Sequence, residues 1–343
     1  MKRHVRLMIA GAVAAAMGIS AAAADEEPPF LGSDYGKNDL PLRESIGGAV
    51  MLIRTLGHIF ERVGVLPEDD VIRVAAGPVV RLDMLVEYNG QTATSTCTAT
   101  IVAPTLILTN HHCVPGRHKI LKASILINYE EEDDPDAIRL EVETEPAATS
   151  GEMDFSFVRI KEPLPDGVQP LPFTPEEVSP GSRLIMIHHP AGRPKMMTQF
   201  DCRAHNKQSG QAFELRHVCD TLPGSSGGLL VNSALRPVGL HHTGGLREND
   251  PESYNTATRM TAIREALESL TQPTGSATAT PAVSSVTAPV AATPSSTTAS
   301  QRTASTPPAR AQTAPQNAIG GIGGQSADEA ARATANSIND ILN

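Results

Sequence analysis

Tryptophan is absent from this chain of 343 residues, and aromatic side chains make up only 3% of it. A surface that stacks bases or sugars needs several exposed aromatic faces, and the chain has few to give. Positive charge is also short. Lys and Arg number 28 against 38 Asp and Glu, for a formal net charge of -10, which argues against the basic surface that nucleic-acid binding depends on. After the N-terminus no apolar run reaches the ~18 residues of a membrane-spanning helix. No Cys-x-x-Cys pair occurs, which disfavours a zinc site, and no motif asks for a metal or a cofactor.

What is present starts with an export signal. Lys2, Arg3 and Arg6 precede an apolar stretch over 7–19, and the alanines of 21–24 offer an Ala-x-Ala cleavage site before Asp25. The mature protein is expected to be secreted or periplasmic, with no membrane span once residues 1–24 are removed, in a compartment that permits disulfides. The cysteines are Cys97, Cys113, Cys202 and Cys219. An even number suits two bridges with three possible pairings. Pairing nearest neighbours would staple one loop in each half of a domain.

Residues 25–75 read as an N-terminal extension or pro-region. Its first part, 25–40, is polar and rich in Pro, Gly and Asp, and is expected to be flexible. Over 42–66 the apolar residues Ile46, Val50, Ile53, Leu56, Phe60 and Val63 fall at helical spacing, which predicts an amphipathic helix ending at Pro67. From Val79 the period changes. Short β-rich runs are predicted at 79–88, 95–102, 105–109, 119–127, 138–144, 155–160, 183–188, 197–203, 213–218, 228–231 and 238–240. Turn residues such as Asn89-Gly90 and Pro180-Gly181 separate them. Many short strands at even spacing predict an all-β barrel or sandwich. A short helix follows over 261–270, with Thr261 as its N-cap. Residues 76–271 thus form the expected domain. Residues 272–325, mostly Ser, Thr, Ala and Pro, predict a disordered linker, and 326–343 a short helix or tail. The tail's partner has no signature in the sequence.

Three stretches carry chemistry. In Cys219-Asp220-Thr221-Leu222-Pro223-Gly224-Ser225-Ser226-Gly227-Gly228, glycines on both sides of a serine pair allow a tight turn that presents a hydroxyl beside backbone N–H groups. In isolation such a string reads rather as a surface turn, because Ser/Gly-rich strings are common in loops. In Leu106-Ile107-Leu108-Thr109-Asn110-His111-His112-Cys113-Val114, an apolar strand runs into a turn with a histidine beside a cysteine. Imidazole has the basicity a general base needs near neutrality. In Gly151-Glu152-Met153-Asp154-Phe155-Ser156-Phe157-Val158, one acid heads an apolar strand, where it can orient a histidine ring. Asp133, Asp134 and Asp136 are alternatives by residue type, but they sit in an acidic run that reads as a solvated loop.

Together these stretches resemble the chymotrypsin-fold serine endopeptidases, in particular the bacterial trypsin-like branch that includes the glutamyl endopeptidases. The order His, Asp, Ser is that family's. Leu108-Thr109-Asn110-His111-His112-Cys113 is similar to Leu-Thr-Ala-Ala-His-Cys, which selects His112 over His111. Gly224-Ser225-Ser226-Gly227-Gly228 is similar to Gly-Asp-Ser-Gly-Gly, which selects Ser226 over Ser225. The interval from Cys97 to Cys113 resembles the family's bridge beside the catalytic histidine. The resemblance implies two six-stranded antiparallel β-barrels with a short C-terminal helix. It implies Ser226 as nucleophile, His112 as general base and Asp154 as its orienter, with the N–H groups of Gly224 and Ser226 as oxyanion hole. The substrate would be a protein or peptide.

Two departures from the family matter. Animal members carry Asp before the nucleophile, to pair with a new N-terminal amine. Here Ser225 stands there, so residues 25–75 are expected to be dispensable as an activation switch. The stretch Leu240-His241-His242-Thr243-Gly244-Gly245 resembles the His-x-Gly-Gly of glutamyl endopeptidases with one residue more. By offset from Ser226, His241 and Thr221 would bind an acidic side chain of the substrate. The run 130–136 lies where some relatives bind calcium, without diagnostic spacing. A non-catalytic binding module and an esterase on the same triad are the alternatives. A protease of the HtrA type is disfavoured, because the C-terminal region shows no PDZ-like β pattern.

Overall fold

The computed structural model describes residues 30–41, 60–247 and 250–271. The predicted signal peptide, linker and tail lie outside the described residues, as does 42–59 of the predicted helix.

Among the described residues, fifteen strands and two α-helices follow in chain order. They are β1 (Phe30–Leu31), β2 (Glu61–Arg62), α1 (Val71–Ala76), β3 (Val79–Tyr88), β4 (Gln91–Ala103), β5 (Leu106–Thr109), β6 (Ile120–Ile127), β7 (Ile138–Val142), β8 (Ala148–Ser150) and β9 (Phe155–Arg159). Then follow β10 (Leu184–His188), β11 (Met196–Thr198), β12 (Glu214–His217), β13 (Leu229–Asn232), β14 (Pro237–Thr243), β15 (Asn255–Arg259) and α2 (Met260–Thr271).

The strands form two sheets, ordered β7-β6-β3-β4-β5-β9-β8, with β1 on β4, and β12-β15-β14-β13-β10-β11-β2. Each has six principal strands, with short additions at β1, β8 and β2. A bridge from Val142 to Ile160 joins the two sides of the first sheet, and bridges Arg183 to Arg203 and Ala204 to His217 do so in the second. Closure of this kind removes free sheet edges. The architecture is the expected pair of antiparallel chymotrypsin-like barrels with one C-terminal helix.

β3 shows why these residues make strands. Val80, Leu82, Met84 and Val86 alternate into the first barrel's core, and Arg81 and Asp83 face the other way. The Asn89-Gly90 turn joins β3 to β4 with Tyr88 opposite Gln91, and both turn residues have positive φ, 50° and 74°. That is the conformation a two-residue hairpin requires, and Asn-Gly supplies it at least cost. A second core fills the other barrel around Leu184, Leu215, Leu230 and Val238. Between the barrels Leu106, Leu108, Phe155 and Phe157 from one meet Leu229, Val231, Leu240 and the α2 residues Met260, Ile263 and Leu267. The functional stretches come to the rim of this shared core.

Three expectations are corrected. Residues 60–66 are not the end of an amphipathic α-helix but a short strand followed by a single 3-10 turn at Val63–Val65. Glu61 and Arg62 pair with Met197 and Met196, and Val63 is fully buried between the barrels, so tertiary burial overrides the helical spacing. Among the described residues of the N-terminal extension the α-helix is α1, which starts after Pro67, with the Asp70 carboxylate accepting from the Ile72 N–H at 2.8 Å. Residues 30–41 are not loose: Phe30 is 1% exposed and pairs with Thr94 on β4. Thr261 is not an N-cap, because α2 already begins at Met260; its hydroxyl donates to Glu177 Oε1.

Candidate active site

β5 and β9 are adjacent and antiparallel, with Thr109 opposite Ser156. The residues just after β5 and just before β9 must therefore meet. His112 Nδ1 lies 2.7 Å from Asp154 Oδ2, and the His112 backbone N–H donates to Oδ1 at 2.9 Å. Asp154 holds a left-handed backbone, φ 50°. Asn110, fully buried, fastens it by donating Nδ2–H to the Asp154 carbonyl at 2.8 Å. A bridge joins Cys97 to Cys113, and a His112 ring nitrogen lies within 4.8 Å of both sulfurs. His111 turns away, with Nδ1 at 2.8 Å from the Thr149 hydroxyl. The fold thus pairs His112, and not His111, with Asp154.

Burial alone would raise the Asp154 carboxyl. Hydrogen bonds from the His112 ring and backbone, with the charges of His112 and His242, more than offset it and hold the group below the usual carboxylate range. Asp154 is therefore ionised near neutrality and accepts from His112 Nδ1–H, which leaves the Nε2 lone pair as the ring's free base.

The serine turn belongs to the second barrel but is tied to the first. Thr98 on β4 donates its N–H to the Ser226 carbonyl at 2.7 Å and its hydroxyl to the Gly224 carbonyl at 2.9 Å. Gly227, with φ 82°, leaves no room for a side chain: a Cβ would stand 1.9 Å from the Thr98 carbonyl oxygen. Among the described residues, neither the Gly224 N–H nor the Ser226 N–H is paired with a backbone acceptor. The two serines separate cleanly. Ser226 is partly exposed, whereas Ser225 is fully buried, with Oγ 2.8 Å from His188 Nδ1 and accepting from the Leu222 N–H at 3.0 Å. Burial pushes His188 down to about 3, so the Ser225–His188 pair is neutral and needs no ammonium to balance it.

The second predicted bridge joins Cys202 to Cys219, next to the predicted substrate residues. His241, 3% exposed on β14, receives a hydrogen bond that starts at the backbone. The Cys219 N–H donates to His217 Nδ1 at 3.3 Å, so neutral His217 carries its proton on Nε2, 3.1 Å from His241 Nδ1. The His241 donor is then Nε2–H. Thr221 Oγ1 accepts from Asn255 Nδ2 at 3.2 Å, and a Cβ on Gly244 would meet it at 3.6 Å. The extra residue in this stretch appears as a register shift between His241 and Thr243 in the β14–β15 pairing, which is how a strand absorbs one residue too many.

Sequence reasoning did not single out Asn110, His188 or His217 for the site. Their roles depend on contacts across barrels and strands, and only their being polar residues within apolar or β-rich runs could have marked them. In the run 130–136, the Asp134 carboxylate accepts from the N–H groups of Glu130 and Asp136, both at 3.0 Å.

The buried imidazoles set an acid limit on the fold. Burial holds His188 and His217 each at about 3, against about 6.5 in an unfolded chain. Between these values the unfolded chain binds more protons, so stability falls as pH falls. Each ring costs about 1.4 kcal/mol per pH unit below 6.5, or for the pair about 4 kcal/mol by pH 5. Asp154 does not add to this loss in the same window, because its depressed carboxyl gives up stability only below the unfolded carboxylate value near 4. Urea unfolding at pH 7 and pH 5 should show this loss; equal midpoints would contradict it.

Residues 97–240 match the family model described as trypsin-like peptidase domain. No curated protein matches the chain. Among solved structures, the Rv3671c protease from M. tuberculosis in its active form is 16% identical, with a TM-score of 0.45 over 59% of this chain and 84% of that one. Its inactive form is 18% identical, with a TM-score of 0.43 over 58% of this chain and 91% of that one. The HtrA-type protease AlgW with tripeptide is 16% identical, with a TM-score of 0.43 over 57% of this chain and 61% of that one. Among the described residues no helix is long and apolar enough to cross a membrane. The stretch from Cys97 to Leu240 that matches this family model holds the paired His112 and Asp154 and the glycine-flanked Ser226.

Proposed function

We propose that this chain is an exported serine endopeptidase that cleaves peptide bonds through an acyl-enzyme, with preference for Glu or Asp at the cleaved bond. The observation that carries the reading is the His112–Asp154 pair, held at 2.7 Å within a trypsin-like peptidase domain whose serine turn carries the partly exposed Ser226. In this reading Ser226 Oγ attacks the carbonyl carbon and its proton passes to His112 Nε2. The carbonyl oxygen, now negative, takes hydrogen bonds from the Gly224 and Ser226 N–H groups. Collapse expels the amine, which leaves with the proton from His112, and water then releases the acyl group by the same steps. One such oxyanion donor is worth ~3 kcal/mol in the transition state. Export is supported by the basic and apolar N-terminus and by the two disulfides.

The acidic preference rests on His241. Burial and the neighbouring His217 hold it well below the usual imidazole value, so the ring presents a neutral Nε2–H. A substrate carboxylate arriving there would accept that bond and raise the ring's basicity, forming a charge-assisted pair. Such a bond is worth ~1.5–3 kcal/mol. His241→Ala is therefore expected to lower kcat/KM for cleavage after Glu by ~10-fold or more, and to spare cleavage after other residues. Paired peptides that differ only at that residue test this. Equal loss on every peptide would remove His241 from specificity.

A further inference from the structure

The serine turn does not stand alone. A second turn, over 189–192, packs against it, and that turn has an unusual backbone. Ala191 has φ 54° and ψ 28°, and Gly192 has φ 67°. Two left-handed residues in a row, one of them carrying a Cβ, are costly and persist only where neighbours enforce them. The contact with the serine turn is close. The Ala191 N–H donates to the Pro223 carbonyl at 2.6 Å. A Cβ on Gly224 would lie 2.8 Å from the His189 carbonyl oxygen and 3.1 Å from the Ala191 and Gly192 nitrogens. The Thr98 hydroxyl accepts from the His189 N–H and donates to the Gly224 carbonyl, each at 2.9 Å.

The enforcing neighbours come from the N-terminal segment. Phe30 and Ala191 form a small buried cluster with Leu40 and Leu222. A Cβ on Gly192 would lie 3.0 Å from Leu40 Cδ1 and 3.5 Å from Phe30 Cζ. Arg81, fully buried, ties the two together. Its Nη1 donates to the Gly192 carbonyl at 2.8 Å and to the Asn38 carbonyl at 2.5 Å, and its Nη2 donates to the Lys37 carbonyl at 2.8 Å. Asp83 fixes the guanidinium through two bonds of 2.8 and 2.9 Å. The segment is anchored by β1 on β4, by Asp34 accepting from the Leu31 N–H at 2.9 Å, and by the Tyr129 hydroxyl donating to Asp39 at 2.8 Å.

We infer that residues 30–41 are a retained strap, and that Phe30, Leu40 and Arg81 are positioning residues which hold the 189–192 turn against Gly224 and so aim the oxyanion donors. The inference rests on the reading of the chain as a serine peptidase. The strap touches no reacting atom and acts through the turn. Its loss should weaken binding of the tetrahedral state and leave ground-state binding nearly as it was. A small misplacement of the donors suffices, since displacements of about 1 Å cost up to ~100-fold in rate.

The test compares wild type, Phe30→Ala, Phe30→Leu and Leu40→Ala in the full chain, with active sites counted by an organophosphonate so that only competent molecules enter kcat. The substrate is a peptide that wild type cuts, and the probe is the boronic acid of the same peptide, which forms a tetrahedral adduct on the serine. Phe30→Ala is expected to lower kcat by ~10-fold or more with KM within ~3-fold, and to weaken boronate binding by a factor similar to the loss in kcat/KM. Phe30→Leu should restore most of both. If Phe30→Ala does not fold, Leu40→Ala carries the same expectation. Unchanged kcat and boronate affinity per active site would overturn the strap's role and leave the peptidase reading intact. Wild type that neither cuts peptide nor reacts with the phosphonate would overturn that reading, and the inference with it.

Discussion

Ser226→Ala is expected to lower kcat by about a million-fold, to the residue of rate that substrate binding and oxyanion donors give without a nucleophile. The size follows from the role. In the proposed mechanism Oγ forms the covalent bond, and the adjacent serine is placed badly to replace it: Ser225 is fully buried, with its hydroxyl engaged by His188 and the Leu222 N–H. The fold should tolerate the change, because the contacts that hold the turn run through the backbone of Ser226 and its neighbours. Thr98 donates to the Ser226 carbonyl at 2.7 Å, and Gly227 donates to the His241 carbonyl at 2.8 Å. Turnover of a peptide amide, with unfolding midpoints measured alongside, checks this. A variant that retains a tenth of wild-type activity would exclude Ser226 as nucleophile.

Asp154→Asn is expected to cost ~10,000-fold in kcat with the fold intact. The two carboxylate oxygens have different jobs. Oδ1 accepts from the His112 backbone N–H at 2.9 Å, and Oδ2 faces the ring at 2.7 Å. An asparagine can keep its oxygen on the backbone N–H, which places its NH2 against Nδ1. That nitrogen must then accept, so the ring proton moves to Nε2 and the base turned to the serine is lost. The charge that steadies the imidazolium goes with it. Single-turnover kinetics at neutral pH test this, and a loss below 10-fold would mean that Asp154 does not set the tautomer of His112.

The barrels were legible in the sequence where one face of a strand meets a core. Val80, Leu82, Met84 and Val86 alternate, and β3 falls at Val79–Tyr88 as the pattern predicts. β15 was missed because Asn255–Arg259 is polar by composition. Its Asn255 and Thr258 are buried through tertiary contacts, with Asn255 donating to the Cys219 carbonyl at 2.7 Å. The strap was misread for a related reason. Its docking uses backbone carbonyls of Lys37 and Asn38 on a buried arginine, and carbonyls leave no trace in composition. The helical spacing of Phe60 and Val63 misled because Val63 is buried between the barrels, a demand that local periodicity does not express. The pairing of His112 with Asp154 was legible because each stands in a motif of residue types with a chemical reason to meet. The relay from Cys219 through His217 to His241 was not, because it exists only once β12, β15 and β14 are side by side.

The most direct measurement is the site of covalent modification by an organophosphonate, read by peptide mapping in the wild-type chain and in His112→Ala. Such reagents react with a serine hydroxyl that a neighbouring base has activated. A single adduct on Ser226, lost in His112→Ala, is the predicted result. An adduct on another serine, or none on a chain whose two disulfides and fold are intact, would contradict the assignment of this site as that of a serine peptidase.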